Sequence, residues 1–162
     1  MRALSTTALA VFGLDQLSKW YVVHVLNLDQ RLAIDVLPPV LNLRMAWNYG
    51  INFGLFAGDA NTTRWTLIGL AVLICALVLW WIRRETDRRA LVSAGLLIGG
   101  AAGNVIDRII YGGVADFLNM SCCGIRNPFS FNIADCAIFL GAIGLVFFAS
   151  DGKDTGAKGR KA

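Results

Sequence analysis

The sequence predicts an all-α integral membrane protein: four transmembrane helices with a small extracytoplasmic β-containing segment. Three observations carry that expectation. Of 162 residues, 56% are hydrophobic and only 16% are charged, and the mean hydropathy of +0.58 is too apolar for a soluble domain. Among the 11 acidic residues only Glu85 is a glutamate, whereas water-facing helices usually carry many. The chain also contains several long apolar runs, and a bilayer core of about 30 Å needs roughly 20 predominantly apolar residues per helix.

Taken in order, the first span is expected over about 4–26, which is apolar except for Asp15 and Lys19. Arg2 followed by apolar residues and Ala8-Leu9-Ala10 fit a cleaved signal peptide in part, but the apolar stretch before that site is too short. An uncleaved first span is the better reading. The outer segment 27–62 is punctuated by Pro38-Pro39 and then shows partial alternation over Val40–Trp47, which predicts a short strand or two against the membrane surface. Asn48-Tyr49-Gly50 marks a turn. The aromatics Trp47, Phe53 and Phe56 suit lipid headgroups or a lipid-bearing ligand, and equally a plain interfacial belt.

The second span, about 63–82, contains the uncharged run Trp65–Ile82, and the third, about 90–110, contains Ala90–Ile106. A second outer segment covers about 111–129. The fourth span, about 130–150, is broken only by Asp135, and a basic tail occupies 151–162. Together these make residues 1–162 one membrane-embedded domain. Arg83, Arg84, Arg88 and Arg89 crowd the link between the second and third spans, and Lys153, Lys158, Arg160 and Lys161 mark the tail. Basic loops stay cytoplasmic, so both termini and the link are expected inside and the two outer segments outside. The pI of 9.1 therefore reports topology. Basic residues confined to span ends without interleaved aromatics do not form a nucleic-acid surface.

Charged groups inside a bilayer cost roughly 2.5–3.5 kcal/mol each on insertion scales, so each calls for a partner or a function. Asp15 and Lys19 are one turn apart and read as a neutralising pair that pins the first helix to its neighbours. Asn104, Asp107 and Arg108 lie at i, i+3 and i+4 near the outer end of the third helix, and Asn132 and Asp135 at i and i+3 on the fourth. Asp135 falls roughly 9 Å inside the outer end of its helix, and Asp116 follows the third helix at the same level. Two carboxylates sharing a low-dielectric site hold one proton between them. Such a pair activates water with one member while the other polarises a carbonyl.

Other chemistries are poorly supplied. His24 is the only histidine, which excludes HExxH zinc sites and leaves Ser-His or Cys-His triads poorly supplied, and there is no GxxxxGK loop. Cys75 and Cys136 lie in apolar spans, where buried cysteine is a small hydrophobe. The adjacent Cys122 and Cys123 are assigned no role. From spacing alone, an aspartyl hydrolase and a small proton-coupled transporter both fit the buried acids, and a purely structural membrane protein is the third reading.

Five blocks then carry a likeness. DQLSK (15–19), NYGINFGLF (48–56), GNVIDR (103–108), VADF (114–117) and FNIAD (131–135) resemble, in order and placement, the lipoprotein signal peptidase (signal peptidase II) family. The resemblance implies an aspartyl protease of the bacterial inner membrane that cuts prolipoproteins just before a diacylglyceryl-modified cysteine. It places Asp116 and Asp135 as the catalytic pair. Asn48, Gly50, Asn104, Asp107, Arg108 and Asn132, with Asp15 and Lys19, become substrate-positioning or fold-supporting residues. The sequence departs from the family at Ile51-Asn52-Phe53, where small residues are more common. The expected partners are the lipidated prolipoprotein and membrane lipid, with no cofactor, metal or nucleic acid and a monomeric chain.

Overall fold

The computed structural model describes residues 1–50, 60–121, 124 and 127–149. The helix α1 (Arg2–Trp20) continues into a π-helical turn (Tyr21–Val25) and a short helix α2 (Leu28–Arg31), followed by strands β1 (Ala33–Leu37) and β2 (Leu41–Asn48). Helices α3 (Ala60–Ile82) and α4 (Arg88–Tyr111), strand β3 (Val114–Asn119) and helix α5 (Ile133–Phe148) complete the order. Both α3 and α4 are long and apolar enough to cross a membrane. The 16 residues of α5 are strongly apolar but fewer.

At the centre of the bundle is α4, flanked by α1 on one side and α5 on the other. Its glycines make this possible, because a Cβ at Gly99 would sit 2.5 Å from the Ala8 carbonyl oxygen of α1, and one at Gly100 would sit 2.5 Å from the Ala134 oxygen of α5. Without side chains at these points the backbones pack directly. By contrast α3 has only Thr63, Ile68 and Ile82 buried, so nearly all of its apolar surface is exposed or half-buried. One hydrophobic cluster joins Leu4, Ile82, Ala90, Leu91, Ala94, Leu97 and Leu145 at one end of the bundle.

At the other end sits a three-stranded antiparallel sheet in the order β1-β2-β3. It packs on the end of α1 through Val22, Leu28, Leu43 and Phe117. The alternation over Val40–Trp47 corresponds to β2. In contrast β3 carries no alternation to read, since five of its six residues are buried. It lies within the segment expected as an outer connection, paired with β2 on one edge and touched by Phe131 on the other. The two cysteines expected to be buried are not, since Cys75 is half-buried and Cys136 exposed. Ile51, Asn52, Phe53, Phe56, Cys122, Cys123 and the tail 151–162, all named from the sequence, lie outside the described residues.

Candidate active site

The polar side chains gather where α1, α4, α5 and the sheet meet. Near its end, α4 presents Asn104, Asp107 and Arg108. Gly112 then takes the left-handed conformation, φ 81°, and its N–H caps the Arg108 carbonyl. That turn sends the chain directly into β3, which carries Asp116 opposite Ala46 of β2. On the other flank Asn132 caps α5. Its Oδ1 accepts from the Asp135 N–H at 2.9 Å, while Asp135 Oδ2 accepts from the Asn132 N–H at 3.2 Å. This reciprocal cap sets the Asp135 carboxylate at the mouth of its helix.

Two asparagines join the acids. Asn132 Nδ2 donates to Asp116 Oδ1 at 2.6 Å and to Asn104 Oδ1 at 3.3 Å. Asn104 Nδ2 donates to Asp135 Oδ1 at 2.9 Å. Asp116 Oδ2 accepts from Asn48 Nδ2 at 3.1 Å. Asn48 is oriented in turn by the N–H of Gly50, which donates to its Oδ1 at 3.0 Å from a backbone with φ 79°. Asp116 and Asp135 are thus linked through two amides in series, Asn132 and Asn104, with one oxygen of each acid held by a donor on α4 or at the α5 cap. Asp116 is 4% exposed and Asp135 half-buried. Burial, and then the neighbouring Asp135 charge, push the Asp116 carboxyl up to about 6, against the opposing pull of the Asn48 and Asn132 hydrogen bonds and of Lys19.

Beneath this pair is a second charged layer. Lys19 Nζ lies 2.7 Å from both Asp15 Oδ2 and Asp107 Oδ2 and donates to Asn104 Oδ1 at 3.2 Å. Asp15 Oδ1 accepts from the Ala134 N–H of α5 at 3.0 Å. The pair seen in the sequence as a neutralising clamp is therefore one half of a Lys19-centred cluster that ties α1 to α4 and α5, and it touches Asn104, which holds Asp135. Arg108 does not clasp a carboxylate. Its Nη1 donates to the Asn104 carbonyl at 3.2 Å, within electrostatic reach of Asp135, Asp116 and Asp107.

Gln16 was not singled out from the sequence, although it stands inside the DQLSK block. Its Nε2 donates to Asp107 Oδ1 at 3.0 Å and to the Gly103 carbonyl at 3.3 Å. Its position beside Asp15 was the available signal. A cavity of about 340 Å³ lies against this α1 side, lined by Gln16, Lys19, Trp20, Trp47, Asp107 and Tyr111 and by neither Asp116 nor Asp135. A polar cavity of about 570 Å³ runs over the sheet, lined by Asn42, Arg44, Asn119, Ser130 and also Ala46, the cross-strand partner of Asp116. No group of three or more metal-ligating side chains occurs among the described residues.

Known proteins share both the fold and the sequence. The chain superposes on a bacterial membrane enzyme solved by the in meso method at 1.9 Å resolution, with a TM-score of 0.78, 23% identity and coverage of 94% of this chain and 95% of that one. A second bacterial membrane enzyme, solved by the same method at 2.3 Å, gives a TM-score of 0.74 at 25% identity over 100% of this chain and 94% of that one. The lipoprotein signal peptidase of Sphingopyxis alaskensis is 37% identical, covering 86% of this chain and 80% of its own. That of Rhodopseudomonas palustris is 41% identical, covering 83% of each. The profile of the family described as signal peptidase (SPase) II matches residues 7–150. The likeness carried by the five sequence blocks thus extends over nearly the whole chain, which belongs to the signal peptidase II family and is a protease.

Proposed function

We propose that the protein is an aspartyl endopeptidase of the bacterial inner membrane that removes the signal peptide from diacylglyceryl-modified prolipoproteins, cutting just before the lipidated cysteine. The observation that carries the mechanism is the linkage of Asp116 and Asp135 through Asn104 and Asn132, with the Asp116 carboxyl raised to about 6 by burial and its neighbour. In this mechanism the pair has one carboxyl protonated while the other is ionised. Its ionised member takes a proton from water as the water oxygen attacks the scissile carbonyl carbon. Its protonated member donates to the carbonyl oxygen, giving a neutral tetrahedral diol. When the C–N bond breaks, a proton passes to the cysteine nitrogen, leaving a signal-peptide acid and a free amine on the lipidated cysteine. Asn48, held by Gly50, and Asn104 and Asn132 keep the two carboxyls in register. Asp15, Lys19 and Asp107 support them from below, and Arg108 positions substrate or supports the fold.

The fold reading that goes with this chemistry has four spans, α1, α3, α4 and α5, with both termini cytoplasmic and the acids near the periplasmic face. The arginine-rich link lies at the opposite end of α4 from Asp107, which supports that orientation through the basic-inside bias. The polar cavity beside Ala46 supports a route for the polypeptide beyond the cut, while the apolar outer segment suits lateral entry of a lipid-bearing chain. The protein is expected to act as a monomer.

The test is cleavage of a diacylglyceryl-modified prolipoprotein by the detergent-purified protein, followed by mass spectrometry. Wild type is expected to release the peptide ending just before the modified cysteine, and Asp116→Asn and Asp135→Asn each to lose at least about 10³-fold in rate while keeping wild-type helicity. Cleavage retained in either variant would exclude the pair mechanism. A well-folded wild type that leaves confirmed lipidated substrate intact would point to the proton-coupled transporter reading.

A further inference from the structure

A second built feature lies at the far end of the bundle from the acids. Between α4 and α5 runs a groove of about 610 Å³ lined by Val92, Leu96, Leu140, Gly144 and Phe148, with Arg88, Arg89 and the N-cap carboxylate Asp87 at its end. The groove offers no free polar group along its floor. The Ser93 hydroxyl there donates to the Arg89 carbonyl at 2.8 Å, and Gly144 packs against Ser93 so closely that a Cβ would collide with its hydroxyl. A hydrocarbon chain matches such a surface.

The charges at the end of the groove are unbalanced. Both acids of the α3–α4 link serve the backbone. Glu85 Oε1 accepts from the Thr86 and Asp87 N–H groups at 2.8 and 3.0 Å, and Asp87 Oδ1 accepts from the Arg89 N–H at 2.8 Å. Among the described residues no carboxylate forms an ion pair with Arg83, Arg84, Arg88 or Arg89. Instead the Arg89 guanidinium lies 5.7 Å from the centre of the Phe148 ring, and that of Arg83 5.3 Å from the Trp80 ring, where cation–π contact holds a charge beside apolar surface.

We propose that this groove binds one anionic phospholipid, with an acyl chain along Val92, Leu96, Leu140 and Phe148 and the phosphate against Arg88 and Arg89. The proposal rests on α3 and α4 crossing the bilayer, with their link at its surface, and not on the cleavage reaction. Charge complementarity chooses the occupant. The chain's own tail is net basic, with Lys153, Lys158, Arg160 and Lys161 against Asp151 and Asp154, so the arginines repel it. A bound lipid spans α4 and α5, the two helices that carry Asn104 and Asp135, and it stiffens their packing.

The experiment uses the full chain in phosphatidylcholine nanodiscs, titrated with phosphatidylglycerol and read by native mass spectrometry and Tm. Wild type is expected to retain one phosphatidylglycerol in preference to phosphatidylcholine and to gain Tm. Arg88→Gln/Arg89→Gln removes two headgroup contacts and is expected to weaken retention about thirty-fold. Leu140→Trp, which fills the groove and keeps both charges, is expected to weaken it as well. Equal retention of the two lipids by wild type overturns the proposal whatever the variants do. Retention unchanged in Leu140→Trp overturns the groove, and soluble glycerol phosphate matching the lipid in Tm gain reduces the site to a free-anion site. Retention rising more than about tenfold on deletion of residues 151–162 would make the tail the occupant.

Discussion

Asp116 is where burial and chemistry meet. It is nearly inaccessible, and desolvation together with the Asp135 charge holds its carboxyl near 6 against an ordinary value of 3.8. A carboxyl raised in the folded state contributes stability that is full below about 3.8, where both folded and unfolded forms are protonated, and that is lost as pH rises to about 6. The Tm of wild type minus that of Asp116→Asn is therefore expected to fall between pH 4 and 6 and to level above. A gap that widened with pH over this window would contradict the raised value. The cluster below gives a second prediction. Lys19 is buried between Asp15 and Asp107 at 2.7 Å from each, so Lys19→Met leaves two buried carboxylates facing each other and is expected to cost about 3–5 kcal/mol. Denaturant titration in detergent measures this, and Asp15→Asn/Lys19→Met is expected to recover part of the loss. Residue identities were legible from the sequence because charges in apolar runs are conspicuous. The pairing of Asp107 with Lys19 was not, since the two meet only across the α1–α4 interface.

Elements place these residues through close approach. Gly100 lies so near α5 that an added Cβ would sit 2.5 Å from the Ala134 carbonyl oxygen, a backbone atom that cannot turn aside. Gly100→Ala is expected to push α5 outward, displace the adjacent Asp135 and lower cleavage at least about tenfold, because misplacement of a catalytic group by about 1 Å costs on the order of 10²-fold. Gly69→Ala on α3 is the control, since nothing lies within 4 Å of that Cβ. It is expected to leave the rate unchanged and to raise Tm slightly. The initial rate and Tm of the two variants side by side check both outcomes. Apolar run length and hydropathy made α3 and α4 readable, whereas β3 was not, because a strand buried on both faces shows no alternation.

The whole molecule is polarised. Arginines gather at one end of α4, while the acids and the sheet gather at the other. With basic segments cytoplasmic, a periplasm-active reporter fused after Ala149 or in the 83–87 link is expected to be silent, and one inserted at Pro38-Pro39 to be active. The reverse pattern would invert the orientation and put the acids on the wrong side for a substrate exported through the membrane.

Composition, apolar run length and the spacing of charged residues by themselves determined that the chain is a helical membrane protein with acids near one end of its helices. These properties are local, and each segment carries them alone. Only the tertiary structure decided that Asn132 and Asn104 join Asp116 to Asp135, that Lys19 serves two carboxylates, and that β3 delivers Asp116 beside Asn48. Apart from the local Lys19–Asp15 pair, those contacts span from 16 to 88 residues of sequence (Asn132 to Asp116, Lys19 to Asp107). They exist because glycines let α1, α4 and α5 pack backbone to backbone, a geometry that residue spacing within one helix does not specify.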